Sequence, residues 1–157
     1  MNLDNCTGCQ SCVVACSLVK GRVFGKKKAR ISILNQEERC LSIPIICEHC
    51  ETPACLEVCP VDAISKDSET GIVGVNQELC VGCEECRLAC PYGGEIIKMR
   101  DQIAVMCDLC GGRPACVEVC LPKALQYVER TGQNLRVKME WAENRAKSIE
   151  VLSVKGA

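Results

Sequence analysis

Sixteen of the chain's seventeen cysteines stand in four tight groups: Cys6, Cys9, Cys12 and Cys16; Cys47, Cys50, Cys55 and Cys59; Cys80, Cys83, Cys86 and Cys90; and Cys107, Cys110, Cys116 and Cys120. Thiolates at this density are soft metal ligands before they are anything else. The first and third groups follow C-x2-C-x2-C-x3-C, and Pro91 completes the third with the C-P step of cubane iron–sulfur ligation. In that pattern three cysteines at intervals of three curl round one corner of a cube, while the fourth reaches to a neighbouring cube. Gly8 and Gly82, each just before a second cysteine, supply the freedom that such close wrapping needs. Four groups imply four 4Fe-4S clusters.

Two other chemistries use clustered cysteines. Disulfides need an oxidising compartment, and the chain reads as cytoplasmic: no apolar leader precedes Cys6, and no stretch approaches the roughly 18 apolar residues of a membrane span. Four-thiolate zinc ribbons set two C-x2-C knuckles apart across a loop. Here all four thiols of each group fall within one short segment.

The elements between the groups determine which thiols meet. Groups two and three are separated only by Pro60 to Leu79, read as a short helix around Val61–Ser65, a turn at Glu69, Thr70 and Gly71, and a strand at Ile72–Val75. That is the layout of a compact bacterial two-cluster ferredoxin. It places Cys47, Cys50, Cys55 and Cys90 on one centre and Cys80, Cys83, Cys86 and Cys59 on the next. Groups one and four then pair across this module, Cys6, Cys9 and Cys12 with Cys120, and Cys107, Cys110 and Cys116 with Cys16. Pairing by sequence neighbours, one with two and three with four, is also compatible with the spacing. Groups two and four are expanded and both end in Pro-Ala-Cys, and the segments after Cys59 and Cys120 run in parallel as Pro60-Val61-Asp62-Ala63-Ile64 and Leu121-Pro122-Lys123-Ala124-Leu125. The expected fold is α+β: two ferredoxin-like modules, residues 44–98 inserted into 1–43 plus 99–130, followed by a tail, 131–157. In that tail Leu135, Met139, Ala142, Ala146 and Ile149 recur at helical intervals, and Trp141 is a candidate partner anchor.

Composition agrees with a stapled fold. The apolar fraction is 48% but includes the cysteines, leaving roughly 37% of the chain for packing. With one Trp, two Tyr and one Phe, a core this thin leans on metal. The formal charge of −1 falls to about −9 once four thiolate-bound clusters are counted. Against that acidity the run Lys20, Arg22, Lys26, Lys27, Lys28 and Arg30, with no acid among its members, is either a solvated segment or a docking patch. The basic stretch is too narrow, and aromatics too few, for a nucleic-acid module. No Ser-His-Asp set, phosphate loop or open cysteine-histidine site is present, so the chain is expected to be non-catalytic. His49 reads as a loop residue beside a centre, and Cys40 as a small buried strand residue.

On these motifs the chain resembles the four-cluster, polyferredoxin-like electron-transfer subunits that accompany molybdenum and tungsten oxidoreductases, hydrogenases and carbon monoxide dehydrogenases. The resemblance covers residues 1 to about 130. CTGCQSCVVACS, the stretch ending in KARISIL, and CDLCGGRPACVEVC look most like small subunits of aldehyde:ferredoxin oxidoreductase-type tungsten enzymes, including the tungsten benzoyl-CoA reductase type. The resemblance implies pairing of group one with four and two with three, and an electron relay to or from a tungsten or molybdenum pterin subunit. A further redox subunit or ferredoxin completes the expected partners. Formate dehydrogenase, hydrogenase and carbon monoxide dehydrogenase partners, or a free-standing ferredoxin-like carrier, are the alternatives.

Overall fold

The computed structural model describes residues 3–36, 41–92 and 97–128. Asn2–Leu125 form one compact α+β unit, and the chain from Gln126 belongs to a second unit. The helix expected within 131–157, its Trp141, and Cys40 lie outside the described residues. Among the described residues no helix is long and apolar enough to cross a membrane.

A helical turn beginning one residue before each third cysteine is the repeated device. α1 (Ser11–Gly21) opens before Cys12, α2 (Ala54–Glu57) before Cys55, α3 (Glu85–Leu88) before Cys86 and α4 (Ala115–Glu118) before Cys116. The compact groups enter through a left-handed residue, Gln10 (φ 62°) or Glu84 (φ 64°). The expanded groups enter through extended Pro53 or Pro114, whose carbonyls accept from the Leu56 and Val117 amides, both at 2.9 Å. Pro-Ala-Cys is therefore a helix start, since proline fixes φ and brings no amide of its own to satisfy. α1 is longer because Cys12, Val13, Cys16 and Ser17 form a buried face at helical spacing that packs on α4. It ends where Arg22 turns left-handed and returns its amide to the Leu18 carbonyl at 2.9 Å.

Three antiparallel hairpins fill the intervals. β1 (Ser32–Gln36) pairs with β2 (Leu41–Ile45), β3 (Ile64–Lys66) with β4 (Val73–Val75), and β5 (Lys98–Arg100) with β6 (Ile103–Val105). The helix expected at Val61–Ser65 is corrected to the strand β3. Asp62 is left-handed (φ 51°), the Ala63 amide donates to the Cys59 sulfur, and Ile64, buried beside exposed Ser65, pairs with Val75. Alternation over so few residues does not separate a strand from a helical turn. The turn itself falls as read: Asp67 Oδ1 accepts from the Glu69 and Thr70 amides and the Thr70 hydroxyl, ahead of left-handed Gly71. After group four the same path recurs, with Lys123 (φ 54°) in the place of Asp62 and buried Ala124 and Leu125 in those of Ala63 and Ile64.

The described residues form two apolar cores. Val13, Ala29, Ile31 and Leu125 pack with Cys12, Cys16 and Cys116 in one. Ile64, Val73, Ile97, Ala104 and Met106 pack with Cys86 in the other. Gly8 (φ 69°) and Gly82 (φ 72°) lie against the hairpins so closely that a Cβ would strike Ser42 Oγ on β2 or the Gln102 carbonyl in the β5–β6 turn. Wrapping loop and hairpin are thus locked together only if both positions lack a side chain.

Cysteines belong to both cores, so a metal bound by them would join helix to hairpin. A structural metal site contributes on the order of 10 kcal/mol, comparable with the whole stability of a domain. Acid extraction under a chelator should therefore leave a largely unfolded chain with a collapsed NMR dispersion; a well-dispersed, cooperatively melting metal-free protein would contradict this.

Candidate metal centres

The residue before each second cysteine has the same backbone geometry in all four groups. Gly8, His49 (φ 45°), Gly82 and Leu109 (φ 51°) are all left-handed. At the two non-glycine positions this conformation costs about 1–2 kcal/mol. His49 has a compensating contact: its buried Nδ1 accepts the Val73 amide at 3.0 Å and so ties the group-two loop to β4. That acceptor role keeps the ring neutral, with its proton on Nε2.

Each fourth cysteine stands four residues after the third: Cys16 lies about 6 Å further along α1, while Cys59, Cys90 and Cys120 fall just past the ends of α2, α3 and α4. Cys6, Cys9 and Cys12 line one hollow together with Cys120. Cys47, Cys50 and Cys55 line another with Cys90. Cys80, Cys83 and Cys86 line a third with Cys59. Cys107 and Cys116, each within electrostatic reach of Cys110, are also within reach of Cys16. Every quartet so formed takes three thiols from one group and its fourth from another.

The quartets themselves stand in order. Cys47 is within reach of Cys107, which belongs to a different quartet. The quartet holding Cys47 is joined through α2 and α3 to that of Cys83, and the quartet holding Cys107 is joined through α1 and α4 to that of Cys9. Cys83 and Cys9, one in each outer quartet, are the exposed thiols among the described cysteines.

The buried thiols resist ionising on their own. Burial, followed by the neighbouring thiols, pushes Cys12 and Cys55 up to about 11 and Cys47 and Cys116 up to about 12. They lose protons when a cationic core offsets the crowding. Cys9 departs from this: the Ser11 hydroxyl and amide, with Thr7, hold it below the ordinary thiol value.

The donor set fits an iron–sulfur cube better than a lone ion. A single zinc draws its thiolates to about 2.3 Å from one point, yet among the described residues no three Cys, His, Asp or Glu side chains gather that closely. Backbone amides already point at sulfur: Arg30 to Cys16 at 3.2 Å, Ala63 to Cys59 at 3.3 Å, Leu109 to Cys107 at 3.4 Å and Ala104 to Cys80 at 3.5 Å. Ser17, next to Cys16, is fully buried with its hydroxyl lacking a partner among the described residues; sulfide is an acceptor that would satisfy it.

One feature of the site was not visible in the sequence. Asp108, inside group four, receives Lys20 at 2.8 Å and Arg30 at 2.7 Å, and its Oδ1 caps the Cys110 amide at 3.0 Å. Two members of the basic run are thus internal, whereas Arg22, Lys26 and Lys27 remain exposed. Burial alone would raise the Asp108 carboxyl, but the Lys20 hydrogen bond, the Cys110 amide and the two cations bring it below its usual range. Burial likewise opposes the Lys20 charge, and Asp108 more than restores it. Charged Asp108 therefore holds the group-four loop onto α1 and the segment behind it.

Known proteins share this pattern. The 4Fe-4S dicluster domain family matches residues 38–130. The polyferredoxin-like subunit of the aliphatic sulfonate oxidoreductase of Pyrococcus furiosus is 39% identical over 117 residues, 74% of this chain and 67% of that protein. A tetrathionate reductase subunit of Salmonella typhimurium is 37% identical over 133 residues, covering 77% of this chain and 53% of the relative. Among solved structures, the active site complex BamBC of benzoyl coenzyme A reductase, in complex with benzoyl-CoA, contains a similar chain. The alignment covers 96% of this chain and 94% of that one at 22% identity, with a TM-score of 0.49.

Replacing Asp108→Asn strands two half-buried cations. Allowing for the partial exposure of the carboxylate, the loss is about 1–2 kcal/mol, a fall of a few degrees in the temperature at which visible absorbance is lost. An unchanged bleaching temperature would remove Asp108 from the framework.

Proposed function

Because the chain belongs to the 4Fe-4S dicluster domain family, we propose that it holds four 4Fe-4S clusters and relays single electrons to or from the catalytic subunit of a tungsten or molybdenum pterin oxidoreductase. An electron-transfer iron–sulfur role in oxidoreductases follows from the family and the relatives.

The observation that carries it is the composition of the quartets, three thiols from one group and the fourth from a partner group. Cys6, Cys9, Cys12 and Cys120 would hold one cluster, and Cys107, Cys110, Cys116 and Cys16 its neighbour. Cys47, Cys50, Cys55 and Cys90 would hold a third, and Cys80, Cys83, Cys86 and Cys59 the fourth. This reciprocity corresponds to two nested modules, 44–98 within 1–43 and 99–130. Bound there, such clusters supply one-electron uptake and release at potentials set by charge, hydrogen bonds to sulfur and burial.

The protein's own share is spacing and tuning. A shared helical turn keeps the two thiol sets of a pair adjacent, and the approach of Cys47 to Cys107 brings the pairs together. The row therefore has its exposed thiols, Cys83 and Cys9, at opposite ends of the connection. Amides directed at Cys16, Cys59, Cys80 and Cys107 favour the more negative state of whatever those sulfurs bind. The chain is non-catalytic on this reading, because its chemistry-bearing side chains are the thiols committed to ligation. The tungsten-type partner is supported by the resemblance of CTGCQSCVVACS and CDLCGGRPACVEVC.

Electron paramagnetic resonance of the fully reduced protein tests the arrangement. Neighbouring paramagnets split one another's lines, so a broadened, coupled spectrum integrating to about four spins per chain is expected. Sharp, uncoupled signals from one or two isolated centres would contradict the row.

A further inference from the structure

The two ends of the row are dressed differently. Around Cys80, Cys83 and Cys86, the stretch from Leu79 to Leu88 exposes three large apolar side chains, with Leu88 at 81% and Val81 at 64% exposure beside Leu79. Val81 and exposed Cys83 line the hollow itself. Carboxylates flank them along the chain: Glu78, Glu84 and Glu85 are exposed, with Arg87 on Glu84 as the one cation of the stretch. The Gln102 carbonyl that abuts Gly82 brings its exposed neighbour Asp101 to the same loop. At the other end, Thr7 to Ser11 beside exposed Cys9 carry no charge; exposed Asp4, Glu118 and Lys123 flank Cys6 and Cys120 with both signs, and the one strongly exposed apolar side chain there is Leu121, at 92%.

Apolar side chains open to water at the mouth of a redox site, flanked by a net negative set of charges, are the anatomy of a small interface with an apolar centre and a steering rim. We propose that the Cys83 end is the docking surface for a basic-faced one-electron carrier protein that binds transiently. The proposal rests on the relay reading. A basic rim on the carrier meets Glu78, Glu85 and Asp101, while Leu79, Val81 and Leu88 take its apolar centre. An apolar patch this small suits a contact that forms and breaks with each electron rather than a permanent subunit interface. The Cys9 end, where Lys123 offsets one of the two acids Asp4 and Glu118, offers such a carrier weaker steering. The exchange moves one electron and makes or breaks no bond.

Mitochondrial cytochrome c, a basic one-electron acceptor, serves as the probe. The loaded protein is reduced with dithionite, freed of excess reductant and mixed with ferric cytochrome c in a stopped-flow instrument. Each electron released converts one haem iron from ferric to ferrous. The second-order rate should fall steeply with added salt. Glu78→Gln with Glu85→Gln should slow it about fivefold at low salt and flatten the salt dependence. Leu88→Ser should slow it at every salt concentration. Removing the same charge elsewhere, by Glu69→Gln with Glu118→Gln, should leave the rate within about twofold. Equal slowing by both double variants, or by neither, would overturn the docking surface while leaving the relay intact. A wild-type protein that dithionite bleaches but that passes no electron to cytochrome c would likewise overturn the docking surface alone, whereas one that dithionite fails to bleach would overturn the relay reading and this proposal with it.

Discussion

Thiols crowded together and sheltered from water do not ionise without a cation among them, and that requirement organises this molecule. Cys47 and Cys116 are held up to about 12 by burial and by the thiols around them. Both sit where the chain packs best, Cys116 within one apolar core and Cys47 against the other. A positive inorganic core turns this repulsion into attraction, and the polypeptide is then obliged to bring three sulfurs of one loop and one of another to each site. The left-handed residue before every second cysteine and the helical turn at every third follow from that obligation. So does the hairpin pressed against each glycine at positions 8 and 82.

The polar framework is subordinate but specific. Asp108 gathers Lys20 and Arg30 from the far side of the sequence, while the amide of the same Arg30 donates to Cys16. One residue thus connects the backbone of a thiol site to the ion pair that fixes the facing loop. His49 does a similar task in the other core, where its ring accepts the β4 amide at the expense of a strained φ. Both contacts hold loops, and loops are what carry the thiols.

Much of this is legible in the sequence because the cysteine spacing and the Pro-Ala-Cys steps are local. Gly8 and Gly82 are readable for the same reason, although the groups that exclude a Cβ there, Ser42 and the Gln102 backbone, are not. Spacing leaves open which group each fourth cysteine meets, since neighbours could pair as well; that depends on how helices and hairpins pack. The Asp108 clamp joins residues 88 apart, beyond any local pattern, and the basic run resembles free surface until Lys20 and Arg30 are placed. Leu109 carries no signal for a left-handed backbone, and the enrichment of histidine in that region is too small to pick out His49. The strand at Ile64–Lys66 reads as a helix because three residues show too little of either period.

The claim beneath all of this is that thiol quartets of this chain hold iron–sulfur cubes. Iron, acid-labile sulfide and zinc measured together on anaerobically isolated protein test it most directly. The account predicts about sixteen irons and as many sulfides per chain with little zinc. Far fewer than about twelve irons with scant sulfide, or stoichiometric zinc in a colourless protein, would contradict it.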